Sequence, residues 1–244
     1  MPQFLTFALV APLASFGGIA VGERRSGWDR PARSAVLGLI AACLGLERTD
    51  DDAQAALADG YALALLCLAP GRLLADYHTA QVPPSRRGRH FATRAEELAV
   101  ADLATVLSRR DYRTGAWHLG AVWLRQDAVR WRLEQLAEAM RQPAFVPYLG
   151  RKSCPLGLPL APDVTEAADA VAALLARMAG GPEARWRQPM ADTASRPVVA
   201  VDATDLPADD ARVQRIELRR DQPRSRRRWH FDLRKEAVLG TEPS

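Results

Sequence analysis

The sequence predicts an α+β fold with an insert in its middle and a small β-rich region at its end. Apolar runs and helical patterns alternate in the order strand–helix–strand–strand–strand–helix, with the insert before the last strand. This order is similar to a split βαβ plan with extra elements. After about residue 197 the pattern returns to strand-like alternation.

Composition narrows the class of protein. The 244 residues are 48% apolar and 25% charged, which is ordinary for a folded soluble domain. Lys152 and Lys235 are the only lysines among 33 basic residues, so 31 are arginine, although the net charge is only +4. Arginine is the better phosphate-binding and base-stacking residue, but arginine together with abundant alanine also fits a G+C-rich genome.

Location and redox state follow from other features of the chain. No apolar run reaches the ~18 residues that span a membrane, and the start lacks the basic and apolar regions of a signal peptide. Cys43, Cys67 and Cys154 are odd in number and widely spaced. We therefore expect a cytoplasmic protein without disulfides or a membrane partner.

The first apolar run predicts a buried strand. It covers residues 3–11 (QFLTFALVA), and Pro12 is expected to end it. A loop rich in glycine and arginine follows over residues 16–33 and contains Arg24 and Arg25.

The next segment predicts a helix that is apolar on nearly every side and therefore buried. It covers residues 35–46, and Ser34 is its expected N-cap. Free N–H groups at its start, beside Arg33, are suited to a phosphate. A capped core helix without a ligand explains the same residues.

Two local signals follow. Asp50, Asp51 and Asp52 precede an alanine-rich stretch, and we expect them to cap a helix rather than bind a metal, because no histidine or glutamate partner is near. Residues 61–69 and 72–79 flank Pro70-Gly71, which predicts a hairpin.

Residues 80–113 form an insert with no expected helix or alternating strand. It is rich in arginine and contains Phe91 and Tyr112. An arginine-rich protrusion with aromatic side chains fits an element that follows a nucleic-acid backbone and inserts between bases. A solvated surface loop is the alternative.

The chain then returns to regular elements. Residues 116–124 predict a strand with Trp117, Leu119, Ala121 and Trp123 on one face.

Two helices follow. Asp127 is expected to cap a helix that runs to about residue 141, and a further helix is expected over 166–179. Between them, residues 147–155 form a compact loop with two adjacent bases, and Gly180-Gly181 is the expected end of the last helix.

The C-terminal third is β-rich and basic, with strands expected over 197–203, 212–219 and 228–234. In the last of these, the expected inward side chains are Trp229, Phe231 and Leu233, and the expected outward ones are Arg228, His230, Asp232 and Arg234. Ten bases face three acids between Arg212 and Lys235, a local charge of +7. This predicts a phosphate-binding surface, with a solvated face as the alternative.

We place a domain boundary in the Pro- and Ala-containing segment 182–197. The expected units are residues 1–181, which include the insert, and residues 182–244.

Signatures for nucleotide, dinucleotide and zinc binding are absent from the sequence, so no cofactor is expected. The four histidines are dispersed. A metal-independent ribonuclease would use His78 as base, with Tyr77 and Lys152 acting on the phosphate. A structural Tyr-His pair on a strand is the alternative.

Several segments, in this order and spacing, resemble the CasD subunits of type I-E CRISPR Cascade complexes. The segments lie at Ala11-Pro12, Ser15–Gly17, 31–39 (PARSAVLGL), 42–45 (ACLG), 76–79 (DYHT), 107–112 (LSRRDY) and 147–156 (PYLGRKSCPL). The resemblance covers residues 1–160 best.

The resemblance implies a ferredoxin-like, RRM-related core with a protruding thumb at about 79–113. It implies a non-catalytic subunit that holds the 5′ handle of the guide RNA and caps the backbone filament. The implied neighbours are the backbone subunit and the large subunit that reads the PAM, with target DNA an indirect partner. Related subunits of another subtype cut precursor RNA, so ribonuclease activity stays the alternative.

Basic, aromatic and hydroxyl side chains in the matching loops and the insert are the expected RNA contacts. They are Arg24, Arg25, Arg33, Ser34, Tyr77, His78, Arg86, Arg87, Arg109, Arg110, Tyr112, Tyr148, Arg151, Lys152 and Ser153.

Overall fold

A computed structural model of the chain describes residues 1–18, 20, 22–85, 90–186 and 197–241. Its strands are β1 (Gln3–Ala14), β2 (Arg24–Arg25), β3 (Tyr61–Ala69), β4 (Arg72–Val82), β5 (Ala104–Leu124), β6 (Asp163–Glu166), β7 (Val198–Asp202), β8 (Val213–Ser225) and β9 (His230–Gly240). Its helices are α1 (Arg33–Cys43), α2 (Asp51–Gly60), α3 (Arg94–Leu98), α4 (Leu133–Arg141) and α5 (Ala170–Gly180). Single 3₁₀ turns lie at Ala184–Trp186 and Ala203–Asp205.

Within the described residues, the strands form one sheet in the order β6-β1-β5-β3-β7-β9-β8, and β2 and β4 also pair with β5. Apart from the parallel pair of β2 and β5, neighbouring strands are antiparallel. Along the chain, β1, α1, β3, β5, α4 and β6 build the central part. The predicted α+β class is confirmed.

The central strands bury apolar side chains on both faces. One cluster, with Phe7, Leu37 and Leu136 among its members, joins the strands to α1, α2 and α4. The other includes Trp117 and Leu174 and joins the opposite face to α5. Leu119 and Ala121 belong to the same cluster as Trp117, and Trp123 packs against it, which confirms the predicted face of this strand.

β1 does not end at Pro12. The carbonyl of Val10 accepts from the N–H of Gly157 at 2.8 Å, on the side of β1 that faces away from β5. Residue 12 has the same parity as residue 10, so its missing N–H lies on that side as well. β6 pairs only with Gln3–Thr6 there, and proline therefore costs no ladder hydrogen bond.

The predicted hairpin at Pro70-Gly71 is wrong. β3 and β4 lie end to end along the single strand β5, with Ala69 opposite Trp117 and Arg72 opposite Thr114. Gly71 has a φ of +76°, which only glycine adopts easily. Pro70-Gly71 is thus a kink in one continuous edge of a long hairpin, and the chain reverses only beyond Val82.

The long hairpin also corrects the prediction for the insert. β4 extends to Val82 and β5 begins at Ala104, so regular strands occupy both ends of the insert, residues 80–82 and 104–113. The short helix α3 lies between them.

Local capping is predicted correctly in one place and wrongly in two. The Asp50 carboxylate accepts from the N–H of Ala53 at 3.0 Å, as expected of a cap, and no metal-binding cluster is found among the described residues. Ser34 is not the N-cap of α1. Ala32 is, and the N–H of Arg33 donates to the Asp221 carboxylate of β8 at 2.8 Å.

The helix predicted from Asp127 begins only at Leu133, with Arg132 as N-cap. Residues 125–132 are bends and irregular structure instead. In this segment Arg125 forms an ion pair with Asp205 at 2.6 Å, and the N–H of Trp131 donates to the Tyr61 hydroxyl at 3.1 Å. The last helix begins at Ala170, capped by Asp169, and ends at Gly180 as predicted.

In the strand predicted over 228–234, the assignment of faces fails in part. Arg228 and His230 are exposed as predicted, but Trp229, expected inward, is exposed as well. Arg234, expected outward, is buried, and Leu233, expected inward, is 57% exposed. The cause is a buried ionic cluster on the inner face. Arg234 donates to Asp221 at 2.9 Å and to Glu236 at 2.7 Å.

The same cluster connects the hairpin to the segment before α1. Arg30 donates to Glu236 and Glu217, each at 2.5 Å, and Arg219 donates to Glu236 at 3.2 Å. Burial acts to raise the pKa of Asp221, but the hydrogen bonds and charge of Arg234 hold that pKa below its ordinary value.

Part of the local +7 charge is therefore neutralised. Ion pairs with described carboxylates involve five of the ten bases, Arg212, Arg215, Arg219, Arg224 and Arg234. In the described part of the chain, no helix is long and apolar enough to cross a membrane.

Candidate nucleic-acid interface

Three strands bring together predicted RNA contacts from three separate parts of the sequence. β2 pairs in parallel with β5, which places Arg24 beside Arg109 and Arg25 beside Arg110. The other edge of β5 pairs with β4, where Tyr77 lies opposite Arg109. We call β2, β4 and residues 104–114 of β5 the ribbon. It carries four predicted RNA-contact arginines on the adjacent strands β2 and β5, all of them exposed.

A buried carboxylate orients two of these arginines. Asp111 is 3% exposed, and its oxygens lie 3.8 Å from Arg24 Nη2 and 3.4 Å from Arg109 Nε. The backbone carbonyl of Asp111 accepts from the Ser15 hydroxyl at 3.1 Å. Because each guanidinium offers five N–H donors, most donors of Arg24 and Arg109 remain free for a ligand.

The other two arginines differ in their contacts. Arg25 donates to the carbonyl of Gly22 at 2.7 Å, which fixes one end of its guanidinium. Arg110 lies opposite Asp76 on β4, but that carboxylate bonds to the ring of His78. Arg110 has no carboxylate partner within the described residues.

A second group of predicted residues meets where the ribbon joins the core. The Arg151 guanidinium stacks 4.6 Å from the centre of the Tyr112 ring. Hydrogen bonds from Arg151 and Ser153 lower the pKa of the Tyr112 hydroxyl. Lys152 is exposed between these two residues, so the group adds two cations beside an aromatic ring.

The loop that carries Arg151 is anchored to the end of β1. The N–H of Ser15 donates to the carbonyl of Leu149 at 3.0 Å. Gly150 has a φ of +93°, and a Cβ there would lie 1.7 Å from the Ser15 carbonyl oxygen. Only glycine permits this approach. Tyr148, in the same loop, is partly exposed at 38%.

The Arg33 side chain is not placed to bind RNA, whereas Ser34 is partly exposed and its RNA contact stays a prediction. The Arg33 side chain is 2% exposed and donates to the carbonyls of Ala58 and Tyr61, both at 2.7 Å. The start of α1, predicted to hold a phosphate, is already occupied by Asp221. Arg86 and Arg87 lie outside the described residues.

The predicted catalytic group is not assembled in the described residues. His78 bonds to Asp76 on its own strand, and Lys152 lies on the loop after α4. No hydrogen bond or ion pair joins His78 to Lys152 within the described ranges.

Sequence reasoning missed Asp111 as the residue that organises the interface. The one available signal is its position as a lone acid directly after two arginines in 107–112 (LSRRDY). Its burial depends on Ser15 and Arg24, which are distant in sequence, and no local pattern reveals them.

The family follows from the match along the chain. A family model described as CRISPR-associated protein (Cas_Cas5) matches residues 4–235. The chain belongs to the Cas5 family. This Cas5 chain is 31% identical over 183 residues to the CRISPR system Cascade subunit CasD of Escherichia coli (strain K12). The match covers 72% of this chain and 77% of that protein. The resemblance predicted from the ordered motifs is confirmed.

Two solved structures share the fold. A chain of a CRISPR RNA-guided surveillance complex superimposes on this Cas5 chain with a TM-score of 0.63 and 20% identity, over 98% of this chain and 90% of that one. A structure titled "Crystal structure of Cas protein" gives a TM-score of 0.57 and 23% identity, over 98% and 95% of the two chains. At these identities the likeness concerns the fold.

Proposed function

We propose that this Cas5 chain is a non-catalytic RNA-binding subunit of a type I-E Cascade complex. It holds the 5′ handle of the mature guide RNA and caps the backbone filament. Its neighbours are the backbone subunit and the large PAM-reading subunit, with target DNA an indirect partner, and it acts in the cytoplasm. The relative from Escherichia coli is named a Cascade subunit, which supports membership of such a complex.

The observation that carries the RNA-binding role is the ribbon. Arg24, Arg25, Arg109 and Arg110 lie on two paired strands. Because side chains alternate along a strand, Arg24 and Arg109 share one face of the ribbon and Arg25 and Arg110 share the other. Adjacent strands are about 5 Å apart, so each pair brings two guanidiniums close enough to act on neighbouring phosphates. The ribbon is the protruding thumb of a ferredoxin-like core, in which β6-β1-β5-β3 are the four strands.

Aromatic side chains near these cations suit unpaired handle bases. Tyr77 is 64% exposed directly beside Arg109, and Tyr148 is 38% exposed on the anchored loop. Single-stranded RNA is bound largely by stacking on such rings and on guanidinium planes. Arg151, Lys152 and Ser153 contribute the contacts at the base of the ribbon.

The ribonuclease alternative has no comparable support. A base such as His78 requires a group that acts on the phosphate or leaving oxygen, and the only group bonded to His78 in the described residues is Asp76. We therefore propose a structural role for His78 on the ribbon.

The double variant Arg109→Ala plus Arg110→Ala tests the proposal in the reconstituted complex. We expect weaker guide retention, and we expect the salt-dependence slope of RNA binding to fall by about one unit for each phosphate that is no longer neutralised. Filter binding of repeat-derived RNA over a salt series measures both. Arg141→Ala plus Arg185→Ala removes the same charge from exposed positions outside the ribbon and is the matched control. Unchanged guide retention and assembly in the ribbon variant would refute the assignment.

A further inference from the structure

Asp111 lies on the same face of the ribbon as two of its arginines and one tyrosine. Directly opposite residues of paired strands share a face. Arg24 and Tyr77 both lie opposite Arg109, so these three side chains form one row across the ribbon. Asp111 follows Arg109 by two residues on β5 and therefore belongs to the same face.

The Asp111 carboxylate lies behind the two guanidiniums, on their buried side. Its side chain is 4% exposed, whereas those of Arg24 and Arg109 are 66% and 48% exposed. The Ser15 hydroxyl donates to the Asp111 backbone carbonyl at 3.1 Å, which fixes the main chain at this point. A phosphate that arrives from solvent therefore meets the guanidiniums first.

The same carboxylate contacts both guanidiniums. Its oxygens lie 3.4 Å from Arg109 Nε and 3.8 Å from Arg24 Nη2. A free arginine side chain samples many rotamers, and ordering it at an interface weakens binding. Because Asp111 holds both side chains in one place, part of this ordering is complete before a ligand arrives.

Charge alone predicts the opposite effect of Asp111. The carboxylate lowers the charge of this group from +2 to +1, and a negative charge repels phosphates. The repulsion acts through two solvated guanidiniums and is screened over about 8 Å at about 0.15 M salt. The ordering acts directly on two long side chains, so we expect it to be the larger effect.

The opposite face of the ribbon is built differently. Arg25 donates to the carbonyl of Gly22 at 2.7 Å, and Arg110 lies opposite Asp76. The Asp76 carboxylate bonds to the ring of His78 and is 37% exposed. It holds no arginine of the described chain. Asp76 is therefore a matched control, with the same charge on the same hairpin.

We propose that Asp111 is a positioning residue for RNA binding. Its buried negative charge strengthens the binding of guide RNA, because it fixes Arg24 and Arg109 as a pair for neighbouring phosphates. This inference rests on the proposed function, since it concerns how the ribbon holds RNA.

The test measures filter binding of repeat-derived RNA to the full chain in the reconstituted complex, at about 0.15 M salt. We expect Asp111→Asn to weaken binding about threefold to tenfold, because both arginines are then ordered only on binding. Asp76→Asn removes the same charge from the other face, and we expect it to leave binding unchanged or tighter.

A second variant, Asp111→Ala, removes both carboxylate oxygens, and we expect at least the loss seen with Asp111→Asn. Folding is expected to persist in both variants, because water can reach the exposed guanidiniums. The midpoint of urea unfolding checks this.

A double-mutant cycle separates positioning from a purely structural role. In a chain that already carries Arg24→Ala and Arg109→Ala, Asp111→Asn has no arginine left to position. Its effect on RNA binding is therefore expected to disappear. A structural role instead predicts the same loss in both backgrounds, together with a lower urea midpoint.

The outcomes also separate this proposal from the RNA-binding role itself. Unchanged or tighter RNA binding by Asp111→Asn, or an equal loss without the two arginines, would overturn the positioning role. If Arg109→Ala plus Arg110→Ala still weakens binding in that case, the RNA-binding role of the ribbon stands. If neither the arginine variants nor the Asp111 variants change RNA binding, both proposals are wrong.

Discussion

At the residue scale, His118 is the most isolated polar group of the core. Its ring is fully buried on β5, and neither ring nitrogen has a hydrogen-bond partner in the described residues. Phe16 contacts it edge to face, with ring centres 5.4 Å apart. Burial lowers the pKa of His118 to about 3, and the charges of Arg30 and Arg113 act in the same direction. The ring is therefore neutral in the folded protein.

This neutral ring makes stability depend on pH. The folded-state pKa lies below the unfolded value of about 6.5, so the unfolded chain alone binds a proton between them. The contribution to stability is complete above about pH 6.5 and is lost as pH falls towards 3. We expect the free energy of unfolding to fall by about 1.4 kcal/mol per pH unit between about pH 6 and pH 5. His118→Leu removes this slope, as measured by urea unfolding.

The control is His230→Leu, at an exposed position. The slope is expected to survive in that variant. An equal slope in His118→Leu and the parent chain would show that another group is responsible.

Single residues are predictable from sequence where the cause is local. Asp50 caps α2 by accepting from the N–H of Ala53, three residues further on, and the sequence pattern alone predicts this. The sequence predicts a phosphate beside Arg33, yet Arg33 binds carbonyls of Ala58 and Tyr61, and Asp221 takes the helix start instead. Those partners lie 25 to 188 residues away, a relation that no single-sequence pattern contains.

At the element scale, the β8–β9 hairpin shows what alternation can and cannot predict. A period of two divides the strand into two faces, and that division is correct at Leu233 and Arg234. Which face turns inward depends on what it meets. Here the inner face meets Arg30 and the start of α1, so the charged set that includes Asp221 and Glu236 is buried and the apolar set is exposed.

The buried Arg234 and the exposed Leu233 predict opposite results for two neighbouring substitutions. Arg234→Leu removes the main partner of Asp221 and one of the three arginine partners of Glu236, and removal of one member of a buried ionic cluster costs about 3–5 kcal/mol. Leu233→Arg changes an exposed position and is expected to alter stability by less than about 0.5 kcal/mol. Urea unfolding at pH 7 compares the two. The reverse ranking would restore the face assignment made from alternation.

The ribbon illustrates a second limit at this scale. Pro70-Gly71 correctly predicts a break in regular structure. The same dipeptide, however, occurs both where a chain reverses in a turn and where a strand only kinks. The choice is made by the length of β5, whose 21 residues offer one partner to both β3 and β4. The composition of the insert predicts that its arginines face a ligand. The pairing that places these arginines beside those of β2 depends on the tertiary fold, and composition does not predict it.

At the scale of the whole molecule, one sheet and one ionic cluster connect the N- and C-terminal parts. β7 pairs with β3 on one side and β9 on the other, and Arg30 reaches across to Glu236 at 2.5 Å. The overall charge of +4 also divides unevenly. Five of the ten C-terminal bases form ion pairs with described carboxylates, while the ribbon arginines keep most of their N–H donors exposed.

These connections predict how the chain unfolds. If residues 1–181 and 182–244 were separate units, as the composition suggests, each would unfold in its own urea-induced transition. The shared sheet and the buried cluster instead oblige both parts to lose structure together, because separation would expose the β3 edge and unpaired charges of the cluster. We expect a single urea transition with the same midpoint by far-UV circular dichroism and tryptophan fluorescence. Arg234→Leu is expected to lower that midpoint for both probes alike. Two separated transitions, or a shift confined to one probe, would support the boundary at 182–197.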